Sequence, residues 1–577
     1  MRLKGLAYDA LMEFLSVARG DSPAELCFRN ARIAHPLTGL VHETDFAVHK
    51  GIIVGWGNYE AHENIDLKGA FVCAGFIEGH IHIESSLLTP DRFAEAVIPW
   101  GTTTVVADPH EIANVLGEKG LDYFLRCAES VKLVDYYMML PSCVPASPLE
   151  TSGAVLNGVD LWRYKNHTRV LGLGELMNFP GVIAGTRDVW DKILLFGDTL
   201  IDGHAPLVLG KDLNAYVFSG VTSDHECTGP EEAIEKLAAG MWIMIREGSQ
   251  SRDLDKLIGM VNENTWPRCM FVSDDRHPDD LVTRGHLTVQ INRAMEKGID
   301  PIRALAMASL TPALYFGFGD RGALVPGSIA DFSVSPSLNP WMPQRVFKRG
   351  VEVFGDGRLT KEESAEIDLP GSPMEIEKIG PEDFKIPAKG RYIRVIGLKE
   401  GSILTDSLVE EAQIEDGEAV SDPERDIIKI AVWNRYIRGS RPSLGFCKGL
   451  GLKMGALAST IAHDSHNLIV AGVSDEAMAY AADAVRRAGG GIAVASDSGE
   501  VLVLELPVGG LMTPSSVEHV AKKLADLRER AGALGTSMEN PFMALSFIAL
   551  PVIPELKITD KGIVDVKNFN FVPLWVD

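Results

Sequence analysis

Cysteine is sparse and unpaired in this chain. Seven are spread over 577 residues, at positions 27, 73, 127, 143, 227, 269 and 447, and no two form a C-x-x-C pair. That excludes a disulfide framework, a zinc ribbon and a thioredoxin-like site, and it suits a reducing cytoplasm. Positive charge is short as well: 55 Lys and Arg stand against 79 Asp and Glu, a net −24 at pH 7. Such a surface repels phosphate backbones and anionic lipid, so neither nucleic acid nor a membrane is an expected partner. Long apolar runs are missing; none approaches the roughly 18 residues of a membrane span. Asp9 and Glu13 fall where a secretion signal would need its apolar core. What is present is an apolar fraction of 46%, enough for ample cores in two to four domains. The first class to test is a soluble, acidic, cytoplasmic enzyme for a small molecule.

The clearest shift in composition runs from Gly355 to Gly390, rich in Pro, Gly and acid, and reads as a linker or a wandering surface segment. Before it, short β-branched runs ending in polar residues recur at 71–84, 102–111, 134–143, 169–177, 198–206, 215–226, 241–247 and 268–276, with helical periodicity between several of them. Eight strands alternating with helices over this length predict a closed (β/α)8 barrel of the TIM type, an α/β fold. Short strands before and after it can pair into one small β-sandwich. The expected division is a helix and the first part of the sandwich at 1–70, the barrel at 71–325, the rest of the sandwich at 326–360, a linker at 361–389 and a C-terminal α+β domain at 390–577. In that last domain RYIRVIGL, IIKIAVWNRY and ILTD read as strands, DEAMAYAADAVRRAGG and VEHVAKKLADLRERAG as helices.

Barrel enzymes place their active sites at the C-terminal ends of the strands. Here five of the eight strand ends carry a possible metal ligand: His80 and His82, Glu175, His204, His225 and Asp274. Positions two apart on a strand face the same side, so His80 and His82 can reach one ion. Each residue alone has an ordinary structural reading, as a capped, salt-bridged or exposed side chain. Four His and two carboxylates on one rim do not. Six ligands exceed the needs of one tetrahedral catalytic ion and suit two, with His80 and His82 on one, His204 and His225 on the other and Glu175 between. Imidazole and carboxylate donors without thiolate point to Mn, Fe or Zn. A water shared by two such ions becomes hydroxide near neutral pH, and Asp274 is the natural base.

These residues also carry a resemblance. AGFIEGHIHIESS is similar to the PGFID-x-H-x-H signature of the amidohydrolase superfamily. GHIHIESSLLTP, TTTVVADPHEIANVLG, GELMNFPGVI, IDGHAPLVLGKDLNAY, SDDRHP and AHDSHN resemble its adenine deaminase branch, over nearly the whole chain. The resemblance implies hydrolysis of adenine to hypoxanthine and ammonia in purine salvage, on a two-metal site holding Mn or Fe, with Glu175 where many relatives have a carbamylated Lys. It departs at Glu78, where the superfamily has Asp, a change expected to shift the surroundings of His80 and tune metal affinity. By analogy with barrel enzymes of this kind, a homo-oligomer, dimer or larger, is expected.

Adenine C6 carries a poor leaving group, so a ring nitrogen and then the departing amine must be protonated. Asp274 serves the nucleophile, His225 polarises the C6 side, and Asp108, His110 and Glu111 are candidates to contact the ring, with Glu111 favoured as proton donor. An equal reading has these three only bracing the metal ligands. His463, Asp464 and His466 in AHDSHN are either a self-satisfied polar turn or a loop that closes the site. The alternatives to adenine are another purine, a pterin or a cyclic amide, or a metal-holding protein without turnover.

Overall fold

The computed structural model describes residues 7–363 and 366–576. Its centre is a ring of eight parallel strands: β1 (Phe76–Ile81), β2 (Thr102–Ala107), β3 (Asp135–Leu140), β4 (Val170–Leu176), β5 (Leu200–Gly203), β6 (Ser223–Asp224), β7 (Trp242–Arg246) and β8 (Cys269–Val272). Strands β1 to β5 pair in order, as do β6 to β8, every pair parallel. Two joins complete the circle. Thr222 N–H donates to Ile201 C=O at 2.9 Å, while Asp274 N–H donates to His80 C=O and His82 N–H to Asp274 C=O, each at 3.0 Å. The β8–β1 join is therefore made by the backbone of three residues expected to be metal ligands. Strands covered on both faces read as continuous apolar runs, and all six residues of β1 and of β2 are buried. Val106, Met139, Met244, Met270 and Val272 pack with Tyr315 and Phe316 in one cluster.

The flanking segments form a single nine-stranded sheet, in which Phe71–Ala74 runs antiparallel to Phe332–Ser335 and parallel to Ala24–His35. Phe28 pairs with Phe46 and Phe332 with Phe347 across neighbouring strands. Phe28 also sits edge-on to Phe332 at 4.9 Å, although their strands are not hydrogen-bonded partners. The sheet thus curls over its own aromatic core, as a sandwich does. The run 71–84, read as one strand, is two. The chain leaves this sheet at Gly75, where a Cβ would fall 2.1 Å from Thr103 Oγ1, and enters the barrel at Phe76. Residues 215–218 are also not strand. They finish the helix Gly210–Phe218, whose Leu213 and Tyr216, three apart, face the core, and β6 is only two residues long.

The C-terminal sheet takes the strand order 406–411, 392–397, 443–448, 427–433, 468–472, 456–459, 491–495, 501–505. Helices Asp475–Arg487 and Val517–Ala533 match the sequence expectation. ILTD does not: its strand begins only at Asp406, after a turn in which Ser402 Oγ accepts from Leu404 N–H. Ile376, Ile379 and Phe384, within the acidic connecting segment, are buried against this domain. The domain lies across the loop end of the barrel. Thr513 pairs with Leu88, Arg528 bonds Asp279 at 2.6 Å, and Asn467 donates to Thr151 C=O at 2.9 Å.

Candidate active site

The polar strand ends converge on Glu175. Its Oε1 lies 3.2 Å from His82 Nε2 and 3.3 Å from His110 Nδ1; its Oε2 lies 2.7 Å from His204 Nδ1 and 3.2 Å from His225 Nε2. Two oxygens addressing two histidine groups is the arrangement of a bridging carboxylate. Asp274 Oδ1 is 3.4 Å from His80 Nε2 and 3.2 Å from His82 Nε2. The sets His80–His82–Glu175 and Glu175–His204–His225 each bring their ligand atoms within 4.8 Å of one another. All six side chains predicted to hold metal are thus brought together. Asp274 takes a left-handed backbone, φ +60°, unusual for a residue with a side chain and of the kind stored at functional sites.

Burial works against charge at both carboxyls, but the imidazoles around them, and Arg246 beside Asp274, outweigh it and hold both well below the usual carboxylate range. The histidines move the other way. Burial depresses His82 and His204, yet the adjacent carboxylates raise His82 well above its ordinary value and bring His204 to about 9. The residues fit divalent cations. His80 Nε2 and both ring nitrogens of His225 are buried without a hydrogen-bond partner. His82 Nδ1 lies 2.9 Å from Asp108 C=O, and donation there leaves the Nε2 lone pair for a cation.

Asp108, His110 and Glu111 divide. Asp108 Oδ2 accepts the Glu175 backbone N–H at 3.0 Å, so it braces a ligand strand. Gly174 makes this contact possible, because a Cβ there would lie 2.0 Å from that oxygen. His110 stands between Glu175 and Glu111, 3.5 Å from the latter. Glu111 receives His463 Nδ1 at 2.9 Å and His466 Nε2, so the C-terminal loop does reach over the barrel mouth. Burial would lift the Glu111 carboxyl, but His463, His466 and His110 hold it well below the usual range. It is an ionised acceptor, not a free acid. Its partner His463, raised to about 9 by Glu111 against burial, carries the proton.

Compared with known proteins, residues 71–353 match the amidohydrolase family and residues 402–570 the adenine deaminase C-terminal domain. The chain is 54% identical over 567 residues to the adenine deaminase of Syntrophobacter fumaroxidans, covering 98% of both chains. It is 44% identical to adenine deaminase 2 of Carboxydothermus hydrogenoformans over 98% of this chain and 99% of that one. The chain belongs to the adenine deaminase family. As a member of the metal-dependent amidohydrolases it has groups of side chains able to hold metal. Among its described residues no helix is long and apolar enough to cross a membrane.

Within this family member, Glu78 does not touch the ligand rings. Its carboxylate accepts the backbone N–H of His80 at 3.1 Å and of Ser273 at 3.1 Å, and lies 3.2 Å from His286 Nε2. It splints the β8–β1 join. Three residues at the site went unread in the sequence. Arg246, at the end of β7, binds Asp274 Oδ2 at 3.0 Å, Asp253 at 2.9 Å and Glu226. Glu226 Oε1 is 3.7 Å from His225 Nε2. Lys236 is wholly buried; its Nζ donates to Ala205 C=O at 2.7 Å, Asp224 Oδ2 at 2.8 Å and Glu232 Oε1 at 2.6 Å. Asp224 Oδ1 in turn accepts Ala205 N–H at 2.9 Å, which ties the residue after His204 to the residue before His225. The run MIRE ended a predicted strand in an Arg and a Glu, and that was the available signal for Arg246. Nothing in the local sequence marked Lys236.

Proposed function

We propose that this protein hydrolyses adenine to hypoxanthine and ammonia. The observation that carries the reading is the 54% identity to an adenine deaminase across 98% of both chains, joined to a barrel rim where six side chains able to hold metal meet. His80, His82 and Asp274 would hold one divalent ion and His204 and His225 the other, with Glu175 shared; Mn or Fe is the favoured metal and Zn is compatible with the donors. When bound, such ions supply Lewis acidity that makes water a nucleophile near neutral pH.

The chain's own residues handle the protons. Asp274, ionised beside Arg246, accepts the proton of the attacking water and delivers it to the departing amine. His225 faces the C6 side. The ring nitrogen takes its proton from the Glu111–His463 pair, with Glu111 as the relay. Water adds at C6, the C6–N bond breaks as the amine leaves with the proton from Asp274, and the C6 hydroxyl proton returns to the Glu111–His463 pair as the carbonyl forms, so the products are hypoxanthine and ammonia. We place the protein in the cytoplasm, where its seven buried free thiols stay reduced. We also propose a homo-oligomer, supported by Phe218, Val159 and Leu194, which are 88%, 79% and 72% exposed on barrel helices.

The test is ammonia release and the ultraviolet change from adenine to hypoxanthine, using protein expressed with added Mn. Turnover of adenine with adenosine and cytosine untouched supports the reading. Protein holding about two ions per chain with no turnover of adenine refutes it and directs the search to modified purines and cyclic amides.

A further inference from the structure

The two proposed ions are unequally supplied. Asp274 serves the first beside His80 and His82, while His204 and His225 have only the shared Glu175. A second carboxylate stands next to His225 in the chain. Strand β6 ends at Asp224, so His225 and Glu226 lie past its end, free of the alternation that points strand neighbours to opposite faces. Both turn to one spot. Glu226 Oε1 is 3.7 Å from His225 Nε2 and 3.9 Å from His204 Nδ1. Those are the two nitrogens that Glu175 Oε2 approaches, at 3.2 and 2.7 Å.

Two carboxylate oxygens thus converge on the same pair of imidazole nitrogens. The spacing is that of ligands, since bonds of about 2.1 Å to one tetrahedral ion put its donors about 3.4 Å apart. Hydrogen bonding does not account for it. His225 is 1% exposed and its Nε2 is buried without a hydrogen-bond partner, and Glu226 is too far from either ring to supply one. Glu226 is also held from behind, as ligating carboxylates are. Arg246 Nη1 donates to its Oε1 and Nη2 to its Oε2, the latter at 3.2 Å. The same Nη1 donates to Asp274 Oδ2 at 3.0 Å. An ionised carboxylate oxygen has two lone pairs, so Oε1 can keep Arg246 and still face a cation.

We propose that Glu226 is a ligand of the second divalent ion, completing the set His204, His225, Glu175 and Glu226, and that Arg246 couples the two ions by holding one carboxylate of each. This rests on the two-ion reading of the rim and adds to it, because Glu226 is not among the six strand-end ligands read from the sequence. A second carboxylate among the donors also moves that ion's preference toward Mn.

Glu226→Gln and Glu226→His are compared with the wild-type full-length protein, each loaded with Mn and equilibrated against a graded series of Mn buffers, with Mn per chain read by elemental analysis. Gln keeps an acceptor for Arg246 but not the anionic ligand; His keeps a ligand but not the ion pair. In Glu226→Gln the Kd of one ion rises about 10–100-fold while the other keeps its wild-type value, and the electron paramagnetic resonance spectrum changes from that of a coupled Mn pair to that of an isolated Mn. Glu226→His recovers most of the affinity. A carboxylate that only neutralises Arg246 gives the reverse order, Gln near wild type and His worst, and that result overturns the proposal. Equal weakening of both ions overturns it as well. Gln, the same size as Glu, carries the test if the histidine variant does not fold, and wild-type Mn binding in Glu226→Gln is then enough to overturn it. Wild-type protein that holds two ions without turning over adenine ends the deaminase reading but not this one; wild-type protein that holds fewer than two ends this one.

Discussion

Replacing Lys236 by methionine keeps the length of the side chain and removes its charge. The ammonium is the only cation bonded to Asp224 and Glu232 among the described residues, and the lysine and aspartate side chains are 0% exposed. Deleting one partner of such a group leaves uncompensated buried charge, which costs about 3–5 kcal/mol. The damage has an address. Asp224 precedes His225, and Ala205, bonded to both Lys236 and Asp224, follows His204. The variant is therefore expected to lose the ion held by His204 and His225 before the one held by His80 and His82. Elemental analysis after gel filtration should give about one metal per chain where the wild type gives two. Mn titration should show one weakened site, and the thermal transition of the barrel should fall. Lys236→Arg, which keeps the charge but not the fit, should fall between. Full metal content with an unchanged transition in Lys236→Met would refute the reasoning.

Asp274→Asn should cost about 10²–10⁴ in kcat while at least one ion stays bound; retained turnover would remove Asp274 as the base. Arg246→Leu should shift the acid limb of the kcat/KM profile to higher pH, because the cation that helps hold Asp274 ionised is gone. In metal-stripped protein, Glu175, Asp274 and Glu111 have depressed pKa values, so the stability they add is complete above about pH 4.5 and is lost as pH falls below that. His204 and His463, raised to about 9, contribute fully below about pH 6.5 and lose that contribution as pH rises through 9. Thermal melts of the apoprotein should thus peak between these limits, and a flat profile would contradict ionised Glu175, Asp274 and Glu111 beside protonated His204 and His463. Chelation should abolish turnover and lower the transition temperature, with Mn restoring both.

The barrel was legible because buried parallel strands are written as apolar runs, and the candidate ligands because each stands where a strand ends. His80 and His82 gained weight from their spacing only together with the polar ends of the other strands. Side chains whose role depends on a distant partner did not. Lys236 sits four residues after Glu232 in an acidic helical run, the pattern of a solvated surface, and it is buried only because Asp224 reaches it from the sheet. Arg246 looks like any strand-terminal cation until three carboxylates close on it. Tyr-Val-Phe at 216–218 passed for strand because an apolar run of that length fits either period. Glu111 was recognised as a candidate, but its imidazole partners His463 and His466 lie about 350 positions further on and could not be read beside it.

That separation also sets an order of events during synthesis. Ribosomes add about 5–20 residues per second, so the barrel, with its metal ligands through Asp274, emerges tens of seconds before His466 exists. A nascent or truncated chain would hold the candidate metal groups of the barrel but lack the imidazoles that meet Glu111. If Glu111 serves the reaction as proposed, catalytic competence would arrive as a terminal event conferred by the last third of the polypeptide, and prematurely ended chains would be inert.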